Sequence, residues 1–132
     1  MSKRIVRGDP VHEFEITAVA KRLHAVLPSE LIDFYRKYGA GYIIPADNPP
    51  FQVNRVLPPF QMVDVLLNHG RNRRLQNYKH HATRRNHQLP FLETARHQFL
   101  TIGYGPHNSG QIFDLNGRMI AKSLSDFAQH DS

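Results

Sequence analysis

The chain has 132 residues, of which 40% are apolar and 21% charged, with neither cysteine nor tryptophan. This length fits one domain, 1–132, and the lack of cysteine excludes a disulfide framework, a zinc ribbon and a thiol nucleophile. The formal net charge of +6, from 17 basic and 11 acidic residues, raises the question of an anionic partner.

The first ten residues are polar and basic, and we expect residues 1–10 to be a loose lead-in. No apolar run follows Met1–Arg4, so we expect no secretory signal and a cytoplasmic protein. The longest apolar runs are only a few residues, which is too short to cross a bilayer. Within 11–26, apolar residues recur at helical spacing and predict a first helix: Ile16, Val19, Ala20 and Leu23.

The clearest helix signal follows Leu27-Pro28, because proline is well placed at a helix start. One apolar stripe runs along this second helix through Leu31, Phe34, Tyr35 and Tyr38. Gly39 and Gly41 then provide the residues that most easily end a helix.

The middle of the chain predicts two short strands and a third helix. Residues 42–44 and 52–57 favour strands, separated by a turn-rich loop rich in proline. Pro58-Pro59 begins the helix, for which we expect a buried stripe of Phe60, Val63 and Leu67.

Residues 69–87, which we call the basic segment, contain the whole charge surplus. They include six basic residues and no acidic one, while the other 11 basic residues balance the 11 acids. Apolar periodicity is weak here, and we expect an insert-like segment with partial helix. Its cations are Arg71, Arg73, Arg74, Lys79, Arg84 and Arg85.

The C-terminal part predicts a three-stranded antiparallel meander. Residues 99–102 and 111–115 are strand-like, and Asn116-Gly117 is a strong hairpin turn signal before a third strand at 118–121. Ser123 is placed to cap a last helix with Leu124, Phe127 and Ala128 facing inward. Helices and hairpin strands in this order indicate an α+β fold, with an antiparallel sheet packed against N-terminal, central and C-terminal helices.

Three strings resemble motifs of the SMI1/KNR4 (SUKH) superfamily. Residues 27–41 resemble its first motif, a Leu-Pro opening, an aromatic helix and a glycine-rich end. Residues 99–115 are similar to its second motif, and residues 123–127 to its closing segment. The matching positions are Leu27, Pro28, Phe34, Gly39, Gly41, Gly103, Gly110, Asp114, Ser123 and Phe127.

The resemblance implies an α+β binding domain without catalysis or a cofactor, and bacterial members commonly look like immunity proteins that neutralise a toxin. Many members are acidic, so the basic segment implies a toxin with an acidic contact face, and its six cations are the predicted contact residues. A nucleic-acid-binding module or a regulatory adaptor of the same fold are the alternatives. The oligomeric state stays open.

Other chemistry is weakly indicated. The histidines of the basic segment, among them His80 and His81, lack metal-ligand spacing and are interpreted as surface residues, so no metal site is predicted. Gly103 and Gly105 suit a turn better than a phosphate loop, because no clear helix follows them. Ser109 with His107 does not form a catalytic arrangement.

The basic segment therefore has three open interpretations. Arginine makes bidentate contacts to carboxylate as well as to phosphate. The segment could therefore bind an acidic protein or a nucleic acid. Nucleic-acid binding is the less favoured of these two interpretations, because only Tyr78 could stack on a base. A solvated segment without a partner is the third.

Overall fold

The computed structural model describes residues 4–44, 54–67, 86–94, 98–114 and 116–129. These ranges form seven strands and four helices. In chain order they are β1 (Arg4–Asp9), α1 (Glu13–Leu23), α2 (Ser29–Tyr38), β2 (Ala40–Ile44), β3 (Asn54–Val56), α3 (Pro59–Leu67), β4 (Gln88–Glu93), β5 (Phe99–Gly103), β6 (Ile112–Phe113), β7 (Met119–Ala121) and α4 (Leu124–Gln129).

All seven strands belong to one antiparallel sheet whose spatial order follows the chain from β1 to β7. The α+β class and the antiparallel sheet are confirmed. The predicted meander at the C-terminus is confirmed as β5, β6 and β7, and the structure extends it through the whole sheet. Strands that follow each other in the chain often lie side by side in a sheet, and here they do so even where helices intervene, as α1 and α2 do between β1 and β2.

The expectation of a loose lead-in over residues 1–10 is wrong, because Arg4–Asp9 form the edge strand β1. Ile5 pairs with Ile43 and Val6 with Tyr42, and the register shifts between Val6 and Asp9. The strand escaped prediction since an exposed edge strand has few buried positions and tolerates charge, so its composition resembles a polar tail.

The β4 strand was also not predicted as a strand, although its apolar composition indicated core. All six of its residues are buried, so the alternation typical of a half-exposed strand is absent. Pro90 lies inside β4, where the pairing register with β5 shifts between Pro90 and Leu92. A proline within a sheet is tolerated at such an irregularity, because there it need not donate a ladder hydrogen bond.

Helix α2 lies against the sheet and confirms the predicted stripe: Leu31, Phe34 and Tyr35 are buried. The hydroxyl of Tyr35 donates to the carbonyl of Leu57 at 2.6 Å, and its oxygen lies 3.2 Å from the sulfur of Met62. This buried contact ties α2 to the connection between β3 and α3.

The α3 helix differs from its prediction at Phe60. Met62, Val63, Val65 and Leu66 are buried, whereas Phe60 is 48% exposed and Leu67 is half-buried. The helix contacts both β4 and α1, and Phe60 lies at the exposed edge of the contact with α1. The basic segment up to Arg85 follows this helix and lies outside the described residues, together with its predicted partial helix.

Candidate functional site

The residues matched to the family motifs lie inside the molecule or at its turns. Leu27, Phe34 and Phe127 are core residues, each at most 7% exposed. Pro28 precedes α2, and its carbonyl accepts hydrogen bonds from the amides of Leu31 and Ile32. These positions fix the entry of α2 and its packing, and none of these four presents a substantial side chain to solvent.

The four motif glycines are explained by a positive φ, by close backbone contact or by both. Gly39 has φ 66° and ψ −147°, a conformation that is nearly exclusive to glycine. A Cβ on Gly39 would overlap the carbonyl of Asp9, and one on Gly103 would overlap the carbonyl of Asn108. Gly41 lies against the β1 backbone in the same way. Gly110 has φ 86° with open space around it, so it serves the turn before β6.

The remaining motif residues make local hydrogen bonds. One carboxylate oxygen of Asp114 accepts from the amides of Asn116 (2.9 Å) and Arg118 (3.0 Å), which holds the turn between β6 and β7. The hydroxyl of Ser123 accepts from the amide of Asp126 at 3.0 Å, and confirms the predicted cap of α4. The motif residues therefore stabilise the fold.

A second cap on α4 comes from α2, 94 residues away in the chain. The carboxylate of Glu30 accepts from the amide of Leu124 at 2.9 Å and from the hydroxyl of Ser125 at 2.6 Å. A carboxylate at a helix N-terminus satisfies free amides and opposes the helix dipole. Sequence analysis missed it, because local spacing does not show which distant acid reaches a helix start.

The six predicted contact cations lie outside the described residues, but the end of the basic segment is described. The side-chain amide of Asn108 donates to the carbonyl of Asn86 at 3.0 Å, and the amide of Tyr104 donates to the carbonyl of His87 at 2.9 Å. The ring of His87 meets the ring of Tyr104 edge-on, with centroids 5.5 Å apart. The connection between β5 and β6 thus anchors the end of the segment.

A groove of about 610 Å³ lies between this connection and the chain joining α1 to α2. We call it the histidine groove, because His24 stands on one wall and His87 on the other. Tyr104 and Leu27 contribute buried apolar surface, and Val26 is 81% exposed. The lining residues are Leu23, His24, Ala25, Val26, Leu27, Ser29, His87, Tyr104, Gly105, Pro106 and Ser109.

Both histidines have a left-handed backbone. His24 has φ 52° and His87 has φ 56°, and they are the two non-glycine residues with positive φ in the described ranges. Such a conformation costs of the order of 1–3 kcal/mol for a non-glycine residue. The amide of His24 donates to the carbonyl of Lys21 at 3.2 Å, and Tyr104 holds His87. Strained residues cluster at functional sites, so their meeting in one groove marks it as a candidate.

The polar side chains of the histidine groove are those of its histidines, its serines and Tyr104. Among the described residues that line it there is no aspartate or glutamate, and the two basic side chains are His24 and His87. The serines here have no carboxylate–histidine pair beside them within the lining, so the arrangement suits binding better than nucleophilic catalysis.

The groups with displaced pKa values do not line this groove. Burial raises the pKa of Tyr35 well above 10.0, with a further contribution from the charge of Glu15. The guanidinium of Arg36 donates to Glu13 at 2.8 Å and lowers the pKa of that exposed carboxyl. The Tyr35 hydroxyl and the Arg36–Glu13 pair therefore affect the stability of the fold and are not part of this groove.

The described ranges contain neither a candidate metal site nor a membrane-spanning helix. No group of three or more histidine, aspartate or glutamate residues is arranged there to hold a metal ion. Nor does any helix of those ranges have the length and apolar content needed to cross a bilayer.

Sequence analysis did not single out Val26, His24 or Tyr104 as groove residues. A signal existed for Val26, which is an apolar residue off the stripe of the first helix and directly before Leu27. For Tyr104 none existed, because the groove forms only when two connections distant in the chain meet.

Comparison with known proteins gives two matches. Residues 10–130 match the SMI1/KNR4 family (SUKH-1). Over 118 residues the chain is 30% identical to the immunity protein YxxD of Bacillus subtilis (strain 168), which covers 89% of this chain and 78% of that protein. No solved structure matches the chain significantly.

Proposed function

The chain belongs to the SMI1/KNR4 family (SUKH-1), and we propose that it is an immunity protein that binds and neutralises a cognate toxin without catalysing a reaction. The observation that carries this proposal is the 30% identity to an immunity protein over 89% of the chain. The family match over residues 10–130 includes every described helix and every described strand except β1, so it extends over nearly the whole fold rather than one motif.

We infer that the toxin contacts the basic segment and the histidine groove together. The segment ends at His87, which is itself a wall of the groove. Its cations are Arg71, Arg73, Arg74, Lys79, Arg84 and Arg85. A surface with this charge and no acid in the adjoining groove suits an acidic toxin face, which it attracts at long range before docking.

Neutralisation by binding requires only a stable interface that blocks the active region of the toxin. Standard interfaces bury roughly 1,600 Å² in total, which is about 800 Å² on each partner. The accessible surface of the chain is 8055 Å², so a tenth of that surface would suffice.

The class of function is tested by producing the protein together with the toxin encoded beside it and measuring growth. Cells that carry the toxin and this protein survive if the proposal is correct. Cells that die although the protein is produced and folded would show that it is not an immunity protein for that toxin.

The contact surface is tested with charges of both signs at Val26. Because Val26 is 81% exposed, Val26→Asp and Val26→Lys should both fold, and the first should slow association with an acidic toxin by about tenfold at low salt. Val26→Lys should keep or increase the rate. Met119, an exposed residue of β7 outside the groove lining, gives matched controls as Met119→Asp and Met119→Lys.

Arg73, Arg74, Arg84 and Arg85 changed together to glutamate should lower the association rate further. If wild type protects cells and the Val26 and arginine variants associate as fast as wild type, the toxin binds elsewhere. The immunity function would then stand without this surface.

A further inference from the structure

An aromatic cluster lies exposed on the surface shared by α1 and α3. Phe14 is 64% exposed and Phe60 is 48% exposed, and their ring centroids are 6.4 Å apart. His12 stacks on Phe14 with centroids 5.8 Å apart and an angle of 12° between the rings. Isolated exposed apolar residues are ordinary, but neighbouring aromatic rings of two helices are the type of surface enriched in protein interfaces.

A groove of about 400 Å³ continues this surface between the two helices. Ala18 and Val19 of α1 and Val63 of α3 line it, together with Phe60. Ala18 is the small residue one turn after Phe14, so it leaves room beside the aromatic rings for a side chain of another molecule.

The charges of this groove have opposite signs and stand on opposite helices. Arg22 belongs to α1 and Asp64 to α3, and both line the groove. Within the described residues, neither side chain has an ion pair or a hydrogen bond to another residue. A wholly acidic partner would leave Asp64 opposed by like charge, and a wholly basic partner would do the same to Arg22.

We propose that a second copy of this chain docks on the α1–α3 surface. A two-fold axis in the plane of the interface, parallel to the groove, places α1 of one copy over α3 of the other. Arg22 then faces Asp64 of the second copy, and Phe14 faces Phe60, each pair occurring twice. The patch is therefore complementary to itself, as an interface between identical subunits requires.

The size of the surface predicts a reversible dimer. Helix α1 has 11 residues and α3 has 9, so they are about 16 and 13 Å long. Two such helices side by side offer less than the roughly 800 Å² per partner of a standard interface. Association of two copies should therefore depend on protein concentration and form a small four-helix contact. This inference does not depend on the toxin.

Charge-reversal variants show whether Arg22 and Asp64 pair between two copies of the chain or within one copy. Arg22→Asp places a second carboxylate against Asp64 of the other copy, and Asp64→Arg places two guanidinium groups together, so each variant should dimerise at least about tenfold more weakly. A mixture of the two variants restores an opposite-charge arrangement only across the interface that joins them. That arrangement should bring back most of the lost affinity, because each variant alone meets like charge at both of its pairs.

In the mixed dimer, the acidic groove of one copy lies over the basic groove of the other. The Arg22→Asp copy carries two carboxylates in its groove and the Asp64→Arg copy carries two guanidinium groups, so every facing pair joins opposite charges. The heterodimer should therefore form at close to wild-type strength. An ion pair within one copy cannot be restored by mixing.

Sedimentation velocity at low salt over about a hundredfold range of concentration measures these dimers. Circular dichroism melting identifies any variant that has lost its fold. A wild type that stays monomeric over the whole range overturns the proposal, and so does a mixture of the two charge variants that dimerises no better than either alone.

Phe14→Ser provides a second test without changing charge. Phe14 is mostly exposed, so the variant should fold normally and lose the dimer, while Val26→Ser in the histidine groove should keep it. A dimer that persists in Phe14→Ser contradicts the proposal. If Phe14→Ser leaves self-association unchanged and instead weakens toxin binding, this surface serves the toxin and the proposal is wrong.

Discussion

Leu27 and Val26 are neighbours in the chain but belong to two different regions of the molecule. Leu27 is 2% exposed and packs in the core, whereas Val26 is 81% exposed on the rim of the histidine groove. The first belongs to an internal region that contains the family-motif residues, and the second to the exposed surfaces. Substitution of an exposed side chain disturbs little packing, so the fold can stay the same while the partner surface differs.

The two exposed surfaces also differ from each other in charge. The described lining of the histidine groove contains no acid, whereas the α1–α3 groove has Arg22 opposite Asp64. With the cations of the basic segment beside it, the first suits the acidic toxin face proposed above, and the second suits the proposed second copy of the chain. The resemblance to the family thus indicates the fold and the class of protein, while the exposed residues determine what is bound.

The largest expected effect is the difference in stability loss between alanine variants of Leu27 and Val26. Leu27→Ala removes buried methyl groups and leaves a cavity, which should lower the free energy of unfolding by about 2–5 kcal/mol. Val26→Ala should change it by no more than about 0.5 kcal/mol. Urea denaturation followed by circular dichroism measures both. Equal losses in the two variants would show that Val26 is packed and would remove the distinction between the regions.

A second, smaller contrast concerns two glycines with positive φ. Gly39→Ala should cost about 1–3 kcal/mol of stability from backbone strain alone, and the new Cβ would overlap the carbonyl of Asp9. Gly117 has φ 80° and no atom within 4 Å of such a Cβ, so Gly117→Ala should cost about 1 kcal/mol. Equal midpoints in urea would contradict the role of close packing at the junction of β1 and β2.

Local sequence patterns correctly predicted the elements whose formation depends on residues close together in the chain. The stripe of α2, the strands β5 to β7 and the Ser123 cap each depend on residues a few positions apart. The β1 strand was missed because its residues are mostly exposed, and β4 because all of its residues are buried. In both cases the alternation that identifies a strand is absent.

The candidate surfaces were harder to predict, because they form between elements. Phe60 was assigned to the buried stripe of α3 from its spacing, but it is 48% exposed because it lies at the edge of the contact between α3 and α1. The histidine groove joins residues near 25 with residues near 105. Contacts between residues so far apart in the chain depend on how the whole sheet is assembled, and local periodicity does not specify that. The placement of the six cations of the basic segment stays a prediction.

The smallest expected effect is the pH dependence of the internal hydrogen bond of Tyr35. The phenol is buried and its pKa lies well above 10.0, so the folded state keeps its proton while the unfolded state loses it above about pH 10. The folded state then binds more protons, and stability falls as pH rises, by up to about 1.4 kcal/mol per pH unit. Below pH 10 this contribution is complete.

Tyr35→Phe removes the donor to the carbonyl of Leu57 and should cost about 1 kcal/mol at pH 7. It also removes the proton that links stability to alkaline pH, so the difference between variant and wild type should shrink above pH 10. Met62→Leu changes the sulfur beside the hydroxyl but keeps the phenol, and should keep the wild-type slope. Urea midpoints measured from about pH 8 to 11 test this, and curves for Tyr35→Phe and wild type that remain parallel would mean that the buried phenol does not control alkaline stability.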